Sequence, residues 1–206
     1  MLARFGGAQI RNQATVGGNF ANASPVGDLP PAFIALGATV VLQSERGLRS
    51  MMVEEFFLSY KSTQLKTDEF ILEFEIPLVS LPLASVQSDT TRIFNRFYKI
   101  SKRFDDDIST VCAAFHLVMD GDVIVNASIG FGGMAEIPAR AAALESVLSN
   151  TVLDDQALQK AESALKSDFN PIDDVRASAH YRERIACNLV KRLAAELYTP
   201  EVETRV

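Results

Sequence analysis

Hydrophobic and polar positions alternate with a period of two over Phe70 to Ile76. Phe70, Leu72, Phe74 and Ile76 fall on one side and Ile71, Glu73 and Glu75 on the other, which predicts a strand with one buried face, ended by Pro77. A longer pattern of the same kind follows. Val111, Ala113, Phe115, Leu117 and Met119 share one face of a strand, and Val123, Val125, Ala127, Ile129 and Phe131 share one face of the next. Asp120-Gly121 between them predicts a tight hairpin turn. The apolar face so formed needs a cover, and the period then becomes helical. Pro138 predicts the first turn of a helix with Ala141, Leu144, Val147 and Leu148 on its apolar face and Asn150 at its end. Leu153, Ala157, Leu158, Ala161 and Leu165 mark a second helix; Tyr181, Ile185, Leu189, Leu193 and Leu197, flanked by Val190 and Ala194, mark a third.

Ahead of these lie a Gly-rich start, a short helix around Pro30 to Leu36 and a β-rich run from Ala38 to Gln43. Residues 78–90 lose periodicity and turn rich in Ser, Pro and Thr, which predicts a loop. The chain therefore divides into residues 1–90, mostly extended, and residues 91–206, an antiparallel sheet with helices packed on one face. The fold class is α+β. No internal repeat interrupts it.

A hydrophobic fraction of 48% over 206 residues suffices for a buried core. The net charge of -6 and a pI near 5.0 oppose nucleic-acid binding, which needs clustered Lys and Arg. Cys112 and Cys187 are too far apart in sequence for a paired motif, so a reducing cytoplasm fits best. Met1 to Gly7 lacks the pattern of a signal peptide, and no apolar run reaches the roughly 18 residues of a membrane span.

Chemistry concentrates in few places. The stretch Thr15 to Asp28 sets Gly17 and Gly18 among small polar residues, so that backbone N–H groups can meet an anion or a polar ring edge, although on spacing alone a plain turn fits better. It has neither the dinucleotide fingerprint nor a P-loop lysine. Asp105 to Asp107 lacks the ligand spacing of a calcium loop and reads as a set of loop carboxylates. His116 and His180 are isolated and read as structural. No Ser-His-Asp order appears, and Cys112 has no evident base, which sets hydrolase chemistry aside.

The string Arg11 to Asn19, with Ala23-Ser24-Pro25 and Asp28, closely resembles the FAD-binding domain of xanthine dehydrogenases and related molybdenum hydroxylases. The resemblance runs on through Pro31 to Ala38, Phe57, Tyr60, Phe97 to Arg103, Asp105 to Ser109, Gly132 to Ala135 with Pro138 and Arg140, and Asp174 to Arg182. It implies a flavin domain followed by the small C-terminal domain of this family. In that family the flavin takes electrons from iron–sulfur clusters, which receive them from a molybdopterin centre, and in dehydrogenases it passes a hydride to NAD. A molybdenum-binding large subunit and an iron–sulfur domain are the implied partners.

By position, the resemblance places FAD contacts on Phe5, Thr15, Gly17, Gly18, Asn19, Ser24, Asp28, Ile71 and Lys99, with Asp106 the charge nearest the redox face. Lys99 would set a cation where negative charge grows on reduction; judged on residue type alone it is a solvated lysine. Asp28 would accept from a ring N–H or a ribose hydroxyl, or else cap a helix. The Lys102 to Ser109 stretch leans toward xanthine dehydrogenase over the flavin subunits of carbon monoxide dehydrogenase, aldehyde oxidase and hydroxybenzoyl-CoA reductase. Nothing resembles the family's N-terminal subdomain, whose loop cradles the FAD diphosphate. Met1 is therefore expected to mark a truncation, a cloned boundary or a split gene, and FAD to bind this chain weakly or not at all. Open surface around Phe5 and Ile71 would favour a homo-oligomer. The rival expectation is a cofactor-free assembly or interaction domain.

Overall fold

The computed structural model describes residues 2–78 and 90–198. After a 3-10 turn at Leu2–Arg4 come three short helices, α1 (Ala8–Gln13), α2 (Val16–Ala21) and α3 (Leu29–Ala35). Pro30 and Pro31 occupy the first turn of α3, where a missing N–H leaves no hydrogen bond unmade. Six of the seven residues of α3 are buried, far more than one apolar stripe, because the helix is covered on both sides. Leu29 and Ile34 join a cluster with Phe20, Val40, Leu42, Val53, Phe56 and Phe57, while Ala32 and Ala35 meet Ala114 from the later sheet.

β1 (Thr39–Ser44) pairs antiparallel with β2 (Gly47–Met52) on one side and β5 (Phe70–Glu75) on the other, in the order β2-β1-β5. Between them lie α4 (Val53–Phe56) and the small hairpin β3 (Phe57–Ser59) and β4 (Ser62–Thr63). The alternation expected over Phe70 to Ile76 is overturned at a bulge. Val41 faces Glu73 and Leu42 faces Ile71, so Leu72 has no partner and the phase slips by one residue. Ile71 and Phe74 thus face the apolar cluster, while Phe70, Leu72 and Ile76 are exposed.

The second sheet is β6 (Thr91–Ile100), β7 (Val111–Asp120), β8 (Val123–Gly132) and β9 (Ala139–Arg140), antiparallel throughout and in that order. The loop expected over residues 78–90 falls mostly outside the described residues. The hairpin is present, with Asp120 facing Val123, so its turn residues are Gly121 and Asp122 and not Asp120-Gly121; Gly121 supplies the positive φ of 56°. A second bulge, between Val118 and Met119, sets Ile124 opposite Met119. Ile124 is therefore buried in place of Val123 and Val125, and beyond the bulge Ala127, Ile129 and Phe131 face inward as expected.

One face of this sheet is covered by α5 (Ala142–Leu148), α6 (Asp155–Asp168) and α7 (Ala179–Tyr198). Pro138 does not open α5. Ala139 and Arg140 pair instead with Phe131 and Gly130, and the free N–H groups of Ala143 and Leu144 are capped by Asp168 of α6 at 2.8 and 2.9 Å. Asp154 caps α6 through the Ala157 N–H at 2.8 Å. The opposite face is not left open: nine of the ten residues of β7 are buried, because α3 lies across it. That contact is close: a Cβ on Gly130 would stand 2.2 Å from the Pro31 carbonyl oxygen.

Candidate functional site

The start of α3, the loop after β6, the segment after β8 and the α6–α7 loop converge on a cleft of about 940 Å³. Its floor is an ion pair. Lys99, late on β6, donates to Asp28 Oδ2 at 2.7 Å and to the Arg4 carbonyl at 3.0 Å, and Ser109 donates its hydroxyl to Asp28 Oδ1. Lys99 is 5% exposed and Asp28 8%, so the lysine is not the solvated one expected from residue type. Nor is Asp28 a side-chain cap: it stands at the N-cap of α3 but spends its carboxylate on Lys99 and Ser109.

Beside this pair the backbone turns tightly at Ser24 to Gly27, closed by the Gly27 N–H on the Ser24 carbonyl at 3.0 Å. A Cβ on Gly27 would approach that carbonyl to 3.2 Å and Asn19 Oδ1 to 3.5 Å, so glycine lets the turn lie against Asn19. Asn19 Oδ1 is buried and accepts no hydrogen bond. A buried acceptor of that kind costs about 1–3 kcal/mol until a donor meets it.

The rim on the β6 side is built by the loop after Ser101. Asp107 accepts from the Arg103 N–H at 2.7 Å, and Arg103 donates to the Asp106 carbonyl at 2.8 Å. The backbone N–H of Arg103 is the largest influence holding the Asp107 carboxyl below its ordinary range, against a smaller upward push from burial. Asp106 has a φ of 52° and its carboxylate lies where a Cβ on Gly7 would stand, 1.9 Å from Oδ1. Arg4 ties this loop to the chain start, donating to the Phe104 carbonyl at 2.9 Å with its guanidinium 4.5 Å from the Phe104 ring centroid.

The facing wall is Gly133 to Glu136 and residues from the α6–α7 loop. Arg182, 2% exposed, donates to the carbonyls of Thr110 and Gly133, the latter at 2.8 Å, and pairs with Asp174 at 2.7 Å. Burial pushes the Asp174 carboxyl up, but the Ala177 N–H and the Arg182 guanidinium outweigh it and hold the group below its ordinary range. Arg182 closes the point where β7 and β8 part, a role no polar motif in the sequence marks. The signal was its phase: Arg182, Ala186, Leu189, Leu193 and Leu197 form one buried stripe of α7, and a charge in such a stripe needs partners.

Of the residues singled out in sequence, Phe5, Asn19, Ser24, Asp28, Lys99 and Asp106 line the cleft together. Thr15, Gly17, Gly18 and Ile71 do not line it. The Thr15 hydroxyl accepts from the Gly18 N–H at 2.9 Å and caps α2, so Gly17 and Gly18 form the first turn of a helix and not an open loop. A Cβ on Gly17 would lie 3.7 Å from the Ile71 Cβ, so these four residues seat α2 on β5 and hold Asn19 at the cleft. Tyr60, Lys61, Met134 and Arg176 line it as well. Among the described residues no cluster of His, Cys, Asp or Glu could hold a metal, and no helix is long and apolar enough to cross a membrane.

A mixed polar and apolar cleft with an unmet acceptor suits a large ligand that carries N–H or O–H donors. Comparison with known proteins narrows its nature. Residues 1–79 match the profile of the FAD binding domain in molybdopterin dehydrogenase, and residues 96–197 that of the CO dehydrogenase flavoprotein C-terminal domain. The chain is 35% identical to xanthine dehydrogenase of Emericella nidulans over 99% of its own length and 14% of that protein's. With the carbon monoxide dehydrogenase medium chain of Afipia carboxidovorans identity is 32%, covering 89% of this chain and 60% of the relative. The fold superposes on quinoline 2-oxidoreductase from Pseudomonas putida 86 with a TM-score of 0.81 at 26% identity, covering 95% of this chain and 64% of the other. For Cu,Mo-CO dehydrogenase the TM-score is 0.80 at 29% identity, covering 92% and 63%.

Proposed function

The chain belongs to the flavin-carrying modules of the molybdenum hydroxylase family, and on that premise we propose that its cleft holds FAD and relays electrons within a xanthine dehydrogenase-type enzyme. When bound, FAD would accept electrons from iron–sulfur clusters and deliver a hydride to NAD. A molybdopterin-carrying subunit and an iron–sulfur domain would be the partners, and the hydroxylated substrate, purine or otherwise, would be chosen at molybdenum. The chain itself contributes binding and orientation.

The observation that carries this reading is Asn19 Oδ1, a buried acceptor with no partner at the edge of a cleft large enough for a dinucleotide. A ring N–H or a ribose hydroxyl of FAD would supply the donor it lacks. Phe5, Pro25 and Met134 offer apolar surface for an aromatic ring, and the Asp28–Lys99 pair presents an acceptor and a donor side by side at the floor. Thr15, Gly17, Gly18 and Ile71 would act through the placement of Asn19. Asp106, held against Gly7, would put a carboxylate at the rim.

The test is flavin content in the complex of this chain with its molybdenum and iron–sulfur partners. Flavin is expected in the assembled complex, with NAD-dependent turnover and only weak binding by the chain alone, and Asn19→Leu should lower FAD affinity by about tenfold or more, the worth of one lost hydrogen bond to a buried group. A complex that assembles and turns over without flavin would favour the rival reading, a cofactor-free assembly domain.

A further inference from the structure

The cleft is lined by segments from before residue 78 and from after residue 90, and besides Lys99 and Ser109, which meet Asp28 at its floor, a side chain outside its lining also joins them. Arg140, on β9, bonds four groups at once: Glu54 of α4, the Ile34 carbonyl at the end of α3 at 3.1 Å, Ser128 Oγ of β8 at 2.9 Å, and Glu145 Oε1 of α5 at 2.9 Å. Two of these partners lie before residue 78 and two after residue 90. Glu145 Oε1 also accepts from the Ile129 N–H at 2.6 Å, so the guanidinium is locked to the hairpin and, through Glu54 and Ile34, to α4 and α3. Burial lowers the proton affinity of Arg140, yet the two carboxylates overcome it, and Arg140 stays charged at any working pH.

Its place in the chain gives this clasp a purpose. The wall segment Gly133 to Glu136 ends only a few residues before Arg140, and its other end is held by Arg182 on the Gly133 carbonyl at 2.8 Å. Two guanidiniums therefore pin the two ends of one cleft wall. Of these two guanidiniums it is Arg140 that reaches across to elements carrying the other wall, adding to the Lys99–Asp28 pair and to the Gly133 N–H on the Pro25 carbonyl at 2.8 Å, since α3 begins at Leu29 beside Asp28 and α4 precedes Tyr60 and Lys61. An arginine suits the role because its planar fork satisfies several acceptors in fixed directions, which a lysine cannot do.

We propose that Arg140 is a positioning residue that sets the separation of the cleft walls before any ligand enters. This rests on the flavin reading above, but its test is independent of it. The full chain is spin-labelled at Lys61→Cys and Glu136→Cys, one position on each wall, with the half-buried Cys187 replaced by serine and the buried Cys112 retained. The distance between labels is then measured by pulsed electron resonance. A single narrow distribution is expected for the parent, a broad or longer one for Arg140→Ala, and an intermediate one for Glu54→Gln, which removes the charge that α4 presents to Arg140 and leaves the other three bonds. Arg140→Lys should restore melting temperature more than it restores the narrow distribution.

In the assembled complex, Arg140→Ala should also lose FAD at least tenfold faster on gel filtration. An unchanged distance distribution in Arg140→Ala and Glu54→Gln, with only a lower melting temperature, overturns the proposal and leaves Arg140 as ordinary core glue. If Arg140→Ala fails to fold, Glu54→Gln alone decides. A broadened distribution with FAD retention unchanged overturns the claim that the clasp serves the ligand site. A parent complex without FAD would count against the flavin reading, while the distance measurement would still decide the clasp.

Discussion

Replacing Lys99 by methionine removes the one charge that balances Asp28 in a nearly dry position. The two groups stand 2.7 Å apart with side chains 4% and 9% exposed. Methionine fills the space of the lysine stem, so packing is largely kept and the loss is electrostatic. Truncating one partner of such a pair costs about 3–5 kcal/mol, because the other charge stays buried without compensation. Here Asp28 would keep only Ser109, and the Arg4 carbonyl would lose its donor. Folding stability should therefore fall by at least about 3 kcal/mol, more than a hundredfold in the unfolding equilibrium. Lys99→Met with Asp28→Leu should recover part of that loss, since an apolar pair leaves no orphan charge. Urea unfolding followed by circular dichroism reads these two variants and Asp28→Leu alone. A single-variant cost under about 1 kcal/mol, or a double variant equal to the sum of the singles, would show that the pair is solvated and refute the burial argument. In the flavin-loaded enzyme the single variant should lower the flavin potential more than the double, because it leaves the Asp28 anion uncompensated against the negative charge gained on reduction, whereas the double removes both charges.

Gly130→Ala should push α3 off β8, because the new Cβ would lie 2.2 Å from the Pro31 carbonyl oxygen; a loss of about 1–3 kcal/mol in thermal unfolding is expected, and a neutral result would mean the two sheets sit farther apart. Glu69 should titrate at about 2, held down chiefly by its hydrogen bond from Arg49 at 2.8 Å against the opposing effect of burial. A depressed folded value means that its contribution to stability is present above its ordinary value of 4.5 and is lost as pH falls toward about 2; carboxyl titration by NMR with a midpoint near 4.5 would contradict the pairing.

Local pattern was enough for the helices α3, α6 and α7 and for the hairpin, because each is a short-range consequence of side-chain period and turn chemistry. It failed wherever a bulge changed the phase. Leu72 and Val125 look like interior positions by alternation, but each is the extra residue of its strand, and only the partner strand decides where a ladder slips. Pro138 failed for a similar reason: β9 needs an edge to pair with, and that edge belongs to β8.

The candidate site divides along the same line. The residues around Ser24 to Asp28 and the loop after Lys99 were legible as a string, and the structure brings both to one cleft. The role of each was not. Whether Lys99 is solvated or paired depends on Asp28, which lies 71 positions earlier, and whether Gly17 and Gly18 bind a ligand or begin a helix depends on Thr15 finding the Gly18 N–H. Arg140 and Arg182 stood within the resemblance but had no role assigned, since their partners are backbone carbonyls and carboxylates from elements far apart in the chain. Sequence by itself determined which elements form and which residues carry chemistry, because period, caps and residue type act over a few positions. Tertiary structure alone decided which charges meet, which acceptor at Asn19 stays unmet and which distant loops enclose one cleft, because burial and hydrogen bonding depend on what packs against a group and not on what precedes it.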